Sequence, residues 1–247
     1  EHLISQKSLY YSPQCNSSLG PIIRPTHDSD VLLPLLAMIA GLSLIAHVTA
    51  VTLDDITAEA LRRSGQSAAN RVTQWREIVF SAQAASVSEK LEIANTFFNE
   101  HIAWEPDDYI WDTEDYWATP LETLLKGQGD CEDYAIAKYT SLVLMGIPPE
   151  SLRMVYVKAD SNGITQAHMV LAWYEMPTSE PLILDNLDTE ILPASQRRDL
   201  RPVFSFNGNA IWIGNTNTPN GGSPTARLSR WKQVIERMRA EGFAQLF

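Results

Sequence analysis

The sequence predicts an α+β fold, with helices in the first part of the domain and antiparallel strands in the second. Apolar residues recur at helical spacing up to a clear break at Gly146-Ile147-Pro148-Pro149. After this break the pattern changes to short runs rich in branched and aromatic residues, separated by polar turns. This change of period along the chain is what predicts the fold class.

Four helices are predicted before the break. Residues 67–85 and 88–101 carry apolar residues at helical spacing, and Ser88 is placed as the N-cap of the second helix. Thr119-Pro120-Leu121-Glu122 begins a short third helix, because proline suits the first helical position and the glutamate completes a capping box. A fourth helix is predicted over residues 130–145.

Five strands and a last helix are predicted after the break. The strands are expected at residues 152–159, 167–175, 181–187, 202–206 and 210–213. Asn207-Gly208-Asn209, between the last two strands, is a hairpin signal. Ser223-Pro224 then begins an amphipathic helix that closes the chain.

The overall charge excludes one class of partner. The 247 residues carry a formal net charge of −11, whereas a nucleic-acid-binding domain needs a basic face. The composition, 45% hydrophobic and 20% charged, is that of an ordinary globular protein.

Residues 1–50 are interpreted as a leader and residues 51–247 as the folded domain. The segment 31–50 carries no Asp, Glu, Lys or Arg, and about 20 apolar residues are enough to span a bilayer. Polar and helix-breaking residues dilute it, and Val48-Thr49-Ala50 resembles a cleavage site, so an export signal is preferred over a permanent membrane anchor. Removal of the leader would take Cys15 away and leave Cys131 as the only cysteine, which favours a reactive thiol.

Cys131 is the candidate nucleophile. It lies in the segment GQGDCEDY at residues 127–134, where a glycine-containing loop turns into the predicted fourth helix. The first N–H groups of a helix lack intrahelical partners, and the helix dipole favours an anion, so a thiolate is stabilised there. The alternative is that Cys131 only packs a helix start, as many free cysteines do.

A thiol nucleophile needs a base and a group that orients the base. His168 and His101 are the only histidines after residue 50, and His101 ends a helix and is assigned a structural role. A hairpin register in which His168 faces Asp185 and Val170 faces Ile183 puts the imidazole and the carboxylate on one face of the sheet. A slip of one residue would separate them, and His168 and Asp185 would then be a strand histidine and a turn residue.

Three motifs together resemble a known family. GDCEDYA at residues 129–135, AHMVLAW at 167–173 and LILDN at 182–186 are similar to those of the bacterial transglutaminase-like cysteine proteinases, and the resemblance extends from about residue 67 to the C-terminus. It implies a papain-like, transglutaminase-like fold, with the cysteine at a helix N-terminus packed on an antiparallel sheet. It also implies a catalytic triad of Cys131, His168 and Asp185.

Three acids flank the candidate nucleophile, namely Asp130, Glu132 and Asp133. Like charges raise the pKa of a thiol, and a hard cation bound by carboxylate and carbonyl oxygens would cancel them. The family resemblance implies a calcium site at these three acids. The alternative is that they complement the helix dipole and bind nothing.

The resemblance further implies a periplasmic, calcium-dependent endopeptidase. Its expected substrate is the N-terminal region of a large surface adhesin, cut at paired alanines to disperse a biofilm, and its expected partner is an inner-membrane cyclic-di-GMP receptor. Two other functions stay open: amide exchange by a true transglutaminase, and a non-catalytic calcium-binding adaptor of a membrane receptor.

Attack of a thiolate on a peptide carbonyl creates an oxyanion, which needs hydrogen-bond donors. The backbone N–H of Cys131 and a side chain such as that of Trp117 are the candidate donors.

Overall fold

The structure, a computed structural model, describes residues 53–246 apart from 162, 215, 217, 244 and 245. The predicted leader, residues 1–50, lies outside the described residues. Within them the helices precede the antiparallel sheet along the chain, so the predicted α+β class is confirmed. No helix in the described part is both long and apolar enough to cross a membrane.

Five α-helices precede the sheet within the described residues. They are α1 (Leu53–Ser81, broken at Gly65), α2 (Val87–His101), α3 (Asp107–Trp111), α4 (Pro120–Lys126) and α5 (Cys131–Leu144). The N-cap of α2 is Ser86 rather than the predicted Ser88, because Ser86 and Glu89 form the capping box. The box predicted between Thr119 and Glu122 is present.

The sheet has six antiparallel strands, which are β3 (Leu152–Ser161), β4 (Ile164–Trp173), β5 (Leu182–Leu184), β6 (Leu192–Pro193), β7 (Leu200–Phe206) and β8 (Ile211–Ile213). Their order across the sheet is β6-β5-β4-β3-β7-β8. A separate parallel pair joins β1 (Ala103–Trp104) to β2 (Gln128–Gly129). The sequence did not predict β1, β2 or β6, because two residues are too few to show a period.

The register between β4 and β5 differs from the predicted one by two residues. Ala172 pairs with Ile183, and Leu171 pairs with Leu184, whereas the prediction placed Ile183 opposite Val170. A two-residue shift keeps every side chain on its face of the sheet, because the side-chain period of a strand is two.

Helix α5 lies at the centre of the fold, and its side chains from Asp133 to Leu142 are all buried. It packs against β3 and β4 on one side and against α1, α2 and α4 on the other. The predicted last helix is interrupted at Leu228, so that α6 (Pro224–Arg227) is followed by α7 (Ser229–Met238). The apolar side of α7 is buried in the same core, where Trp231 contacts the ring of Tyr139.

The turn between β7 and β8 yields a stability prediction. The buried Asn207 amide donates to the carbonyls of Pro149 and Leu152 and accepts the N–H groups of Asn209 and Ala210. We expect Asn207→Ala to lower the free energy of unfolding by about 2 kcal/mol, because these backbone groups lose their partners. Urea denaturation measures the change. The control is Asn209→Ala, whose side chain is exposed; equal losses in both variants would contradict this account.

Candidate active site

Cys131 is the first residue of α5, as predicted, and Asp130 is its N-cap. The glycine before the cap is required by close packing, since a Cβ on Gly129 would lie 2.9 Å from the Cβ of Asp133. The thiol is half-buried and donates a hydrogen bond of 3.0 Å from Sγ to Oε2 of Glu132. The thiol at the start of α5 therefore faces a carboxylate.

The pKa of Cys131 lies well above its ordinary value. Burial is the main cause, and the charges of Glu132 and Asp130 raise the pKa further, while a backbone hydrogen bond from Met169 lowers it. Burial and the neighbouring acids, which disfavour the thiolate, thus outweigh the hydrogen bond from Met169, which favours it. A nucleophilic thiolate needs these negative charges to be balanced.

His168 and Asp185 are in direct contact, with 2.7 Å between His168 Nε2 and Asp185 Oδ1, and both side chains are buried. The other oxygen of Asp185 accepts a hydrogen bond of 2.6 Å from Nη2 of Arg197. The backbone N–H groups of Asn186 and Leu187 also donate to Asp185 Oδ1. Burial alone would raise the pKa of Asp185. The hydrogen bond and charge of His168 lower it, as do hydrogen bonds from the Leu187 N–H group and from Arg197, and the result is a pKa of about 2.

The structure brings two of the three predicted triad residues, His168 and Asp185, into contact. Cys131 lies against the backbone of Met169, the residue after His168 on β4. Among the described side chains, no hydrogen bond joins Cys131 to the imidazole. Because Asp185 occupies Nε2 of His168, the ring nitrogen left for the thiol is Nδ1.

Two buried cations that sequence reasoning missed hold Asp185 in place. Arg197 bonds its carboxylate, and Nζ of Lys138 donates to its backbone carbonyl at 2.9 Å. Lys138 also donates to the amide oxygens of Asn95 and Asn99 on α2. A signal for Lys138 exists, since it is the one charged residue between Tyr134 and Met145. The sequence carries no comparable signal for Arg197.

The acids near Cys131 belong to a larger cluster. Within the described residues, three overlapping groups have ligand atoms within 4.8 Å of one another: Asp130 with Cys131 and Glu132, Asp107 with Asp130 and Asp133, and Asp107 with Asp115 and Glu132. Sequence reasoning did not assign Asp107 and Asp115 to the site. The available signal was the run of acids between residues 107 and 115, which the fold brings to the start of α5.

The oxygen atoms of this cluster fit a hard cation. Buried Oδ1 atoms of Asp107, Asp115 and Asp130 have no hydrogen-bond partner within the described part. Burial and neighbouring carboxylates raise the pKa of Asp107 to about 6 and that of Asp130 to about 10. The second oxygens of Asp107 and Asp115 do have partners, namely the N–H of Tyr116 and the guanidinium of Arg230. Crowded carboxylates with unpartnered oxygen atoms are the donor set that Ca²⁺ prefers. Asp133 differs, because its oxygens accept the N–H groups of Ala118 and Asp130.

Trp117 is half-buried, and its ring stacks on that of Phe206 with 5.8 Å between the centroids. This contact supports a packing role for Trp117. At the start of α5, the backbone N–H of Cys131 therefore remains the candidate oxyanion donor.

Comparison with known proteins assigns the class. The model of the bacterial transglutaminase-like cysteine proteinase family, BTLCP, matches residues 64–198. The chain belongs to this family and is a cysteine protease by class. A search of the curated proteins finds no match.

Solved structures of LapG from Legionella pneumophila share the fold. The calcium-bound structure is 39% identical, with a TM-score of 0.65, over 76% of this chain and 99% of the other. The EGTA-treated structure is 38% identical, with a TM-score of 0.67, over 76% of this chain and 97% of the other. The predicted transglutaminase-like fold is thereby confirmed.

The buried Asp185 carboxylate yields a prediction about stability and pH. Asp185→Asn removes the buried carboxylate that pairs with Arg197 and leaves Asp199, which is 41% exposed, so we expect a loss of about 3 kcal/mol in the free energy of unfolding at pH 7. The pKa of Asp185 is lowered to about 2, so its contribution is complete above pH 4 and is lost as the pH falls through 2. Urea denaturation at several pH values measures both effects.

The matched control is Asp188→Asn, because the carboxylate of Asp188 lies 3.9 Å from Nε of Arg197 and is 46% exposed. We expect that variant to change the stability by less than about 1 kcal/mol. If Asp185→Asn were no more destabilising than this control, the ion pair would not stabilise the fold.

Proposed function

We propose that this protein is a calcium-dependent cysteine endopeptidase that uses Cys131, His168 and Asp185 as a catalytic triad. The observation that carries the proposal is the buried hydrogen bond of 2.7 Å between His168 and Asp185, next to the strand position that Cys131 contacts. Membership of a cysteine proteinase family supports the same assignment.

In this mechanism Nδ1 of His168 accepts the proton of the Cys131 thiol, and the sulfur attacks the carbonyl carbon of the substrate peptide. The backbone N–H of Cys131 donates to the oxyanion of the tetrahedral intermediate. The imidazolium then returns the proton to the leaving amine, and water, activated by the same imidazole, hydrolyses the thioester. Asp185 holds the imidazole in one tautomer and stabilises its charged form.

Arg197 and Lys138 act as positioning residues in this scheme. Arg197 holds one oxygen of Asp185, and Lys138 holds its backbone carbonyl, so that the carboxylate faces Nε2 of His168. Because all of these side chains are buried, water does not compete for their hydrogen bonds.

Calcium binding by this protein is also part of the proposal. The calcium-bound LapG structure supports it, as do the orphaned oxygens of Asp107, Asp115 and Asp130. We place the ion at these three acids and Glu132, with Asp133 as the fifth acid of the cluster. A bound calcium ion would supply positive charge that balances the carboxylates beside Cys131.

The substrate, location and partner are proposed from the relationship to LapG. We place the protein in the periplasm, where it cleaves a paired-alanine site near the N-terminus of a large surface adhesin and so disperses a biofilm. We propose an inner-membrane cyclic-di-GMP receptor of the LapD type as the partner that sequesters it. Incubation with adhesin N-terminal fragments, with and without calcium, followed by mass determination of the products, tests the assignment.

Two alternatives predict different outcomes in that assay. A transglutaminase would incorporate a labelled amine donor into the fragment instead of cutting it, because an amine rather than water resolves the acyl-enzyme. A calcium-binding adaptor would leave the fragment intact, and a thiol-reactive probe would label Cys131 slowly.

We expect Cys131→Ala and His168→Ala to abolish measurable cleavage of the fragment, because one removes the nucleophile and the other its base. The matched control is His101→Ala, since His101 is exposed and stacks on Phe97 away from the thiol's contacts. Mass determination of products over time measures the rates. Cleavage by Cys131→Ala at the wild-type rate would refute the mechanism.

Calcium should raise the melting temperature and support cleavage, and excess EGTA should reverse both effects, because the ion binds the folded acid cluster. We expect Asp107→Asn and Asp115→Asn to weaken calcium binding at least about ten-fold in calorimetry. Asp112→Asn is the control, because Asp112 is exposed and lies outside the three acid groups. Full activity in excess EGTA would contradict the calcium requirement.

A further inference from the structure

A cavity of about 460 Å³ lies on the face of the sheet that points away from α5. Side chains of β3 and β4 alternate between the two faces, and Met154, Met169 and Leu171 belong to the core beneath the helices. The opposite face forms an apolar floor to the cavity, made by Val155, Val157, Val170, Ala172 and Ile183. The volume falls in the range of about 300–1,000 Å³ that is typical of small-ligand sites.

The buried arginine Arg153 lines this cavity without a carboxylate partner among the described residues. It is 3% exposed, and its guanidinium carbon lies 4.0 Å from the ring centroid of Trp212 and 4.1 Å from that of Tyr174. Nη2 makes a long hydrogen bond of 3.4 Å to the carbonyl of Pro177, and Nε is buried without a partner in the described part. No described carboxylate forms an ion pair with Arg153. Arginine stays protonated when it is buried, so the charge of Arg153 is stabilised here by the two rings and by a hydrogen bond with Tyr174, without a described carboxylate.

A second buried arginine, Arg197, lines the cavity and has one free N–H group. Its Nη2 and Nε atoms are bonded to Asp185 and Asp199, while Nη1 is buried without a partner among the described residues. These two carboxylates compensate the charge of Arg197, so Nη1 adds a hydrogen-bond donor rather than net charge. The positive potential of the cavity therefore comes from Arg153.

The remaining acid of the lining does not compensate Arg153. Glu180 is exposed at the rim, and its carboxylate accepts the backbone N–H of Ser195 at 2.7 Å. The cavity thus combines an apolar floor with a fixed, desolvated guanidinium. A buried cation without a counter-ion is costly, and a carboxylate with two oxygens matches the guanidinium fork.

We propose that this cavity binds a small monocarboxylate with an apolar body. The carboxylate binds Arg153, the apolar part covers the valines and Ala172 on the floor, and Nη1 of Arg197 donates to any further acceptor on the ligand. This binding site goes beyond the proposed peptidase function. It requires neither the thiol nor the acid cluster.

Calorimetric titration with octanoate and with 1-octanol tests the site, because the two probes differ in the charged group and share the apolar chain. We expect octanoate to bind at a single site at least ten-fold more tightly than 1-octanol. The titration is run on the Cys131→Ala variant as well as on the wild type, so its result is independent of catalysis. Absence of octanoate binding below its micellar concentration, or equal binding of the two probes, would overturn the proposal.

Two variants locate the site. Arg153→Met should weaken octanoate binding at least ten-fold and leave 1-octanol binding unchanged, and Ala172→Leu, which fills the floor, should weaken the binding of both probes. The control is Arg201→Met, an arginine on β7 that is 58% exposed and lies outside the cavity. Wild-type octanoate binding by Arg153→Met would refute the assignment. If Arg153→Met fails to fold, the Ala172→Leu titration and the two-probe comparison decide.

Discussion

The carboxylate of Asp185 joins three separate parts of the chain in one buried network. It accepts a hydrogen bond from His168 on β4 and another from Arg197 after β6, while its backbone carbonyl accepts from Lys138 on α5. The hydrogen bond and charge of His168, with hydrogen bonds from the Leu187 N–H group and from Arg197, keep its pKa near 2 despite burial. The position of the imidazole, and with it the proposed chemistry of Cys131, depends on this anion staying charged and fixed.

The start of α5 shows the opposite electrostatic situation. There, negative groups gather around Cys131, and the pKa values of the thiol, Asp130 and Asp133 are all raised, with burial as the first cause. One end of the site therefore has its charges paired, whereas the acids at the other end have only one ion pair among the described residues, between Asp115 and Arg230. The proposed calcium ion would pair the second set, which links metal binding to the ionisation of the nucleophile.

The proposed ligand cavity adjoins the Asp185 network. One face of the sheet packs on α5 and forms the main core, and the other carries the apolar floor of the cavity. Arg197 belongs to both regions, because it bonds Asp185 and also lines the cavity. Arg197 follows β6 and lies on none of the described strands, so one side chain contacts both the Asp185 carboxylate and the cavity.

Much of the fold and of the candidate site could be predicted from the sequence. The boundaries of α4 and α5 follow from capping residues and glycines, which act within a few residues of themselves. The face shared by His168 and Asp185 was also predictable, because strand alternation survives the two-residue error in register. The same local patterns could not reveal β6, whose two residues show no period.

The sequence by itself determined that a cysteine begins a buried helix and that a histidine and an aspartate lie on one face of a hairpin. These features depend on local backbone preferences and on periodicity. Only the tertiary structure decided that Arg197 and Lys138 hold Asp185. It also brought Asp107 and Asp115 to the acids beside Cys131. Finally, it buried Arg153 without a counter-ion among the described residues. The physical reason is that the pairing and desolvation of a charge depend on residues far away in the chain, which come together only on folding.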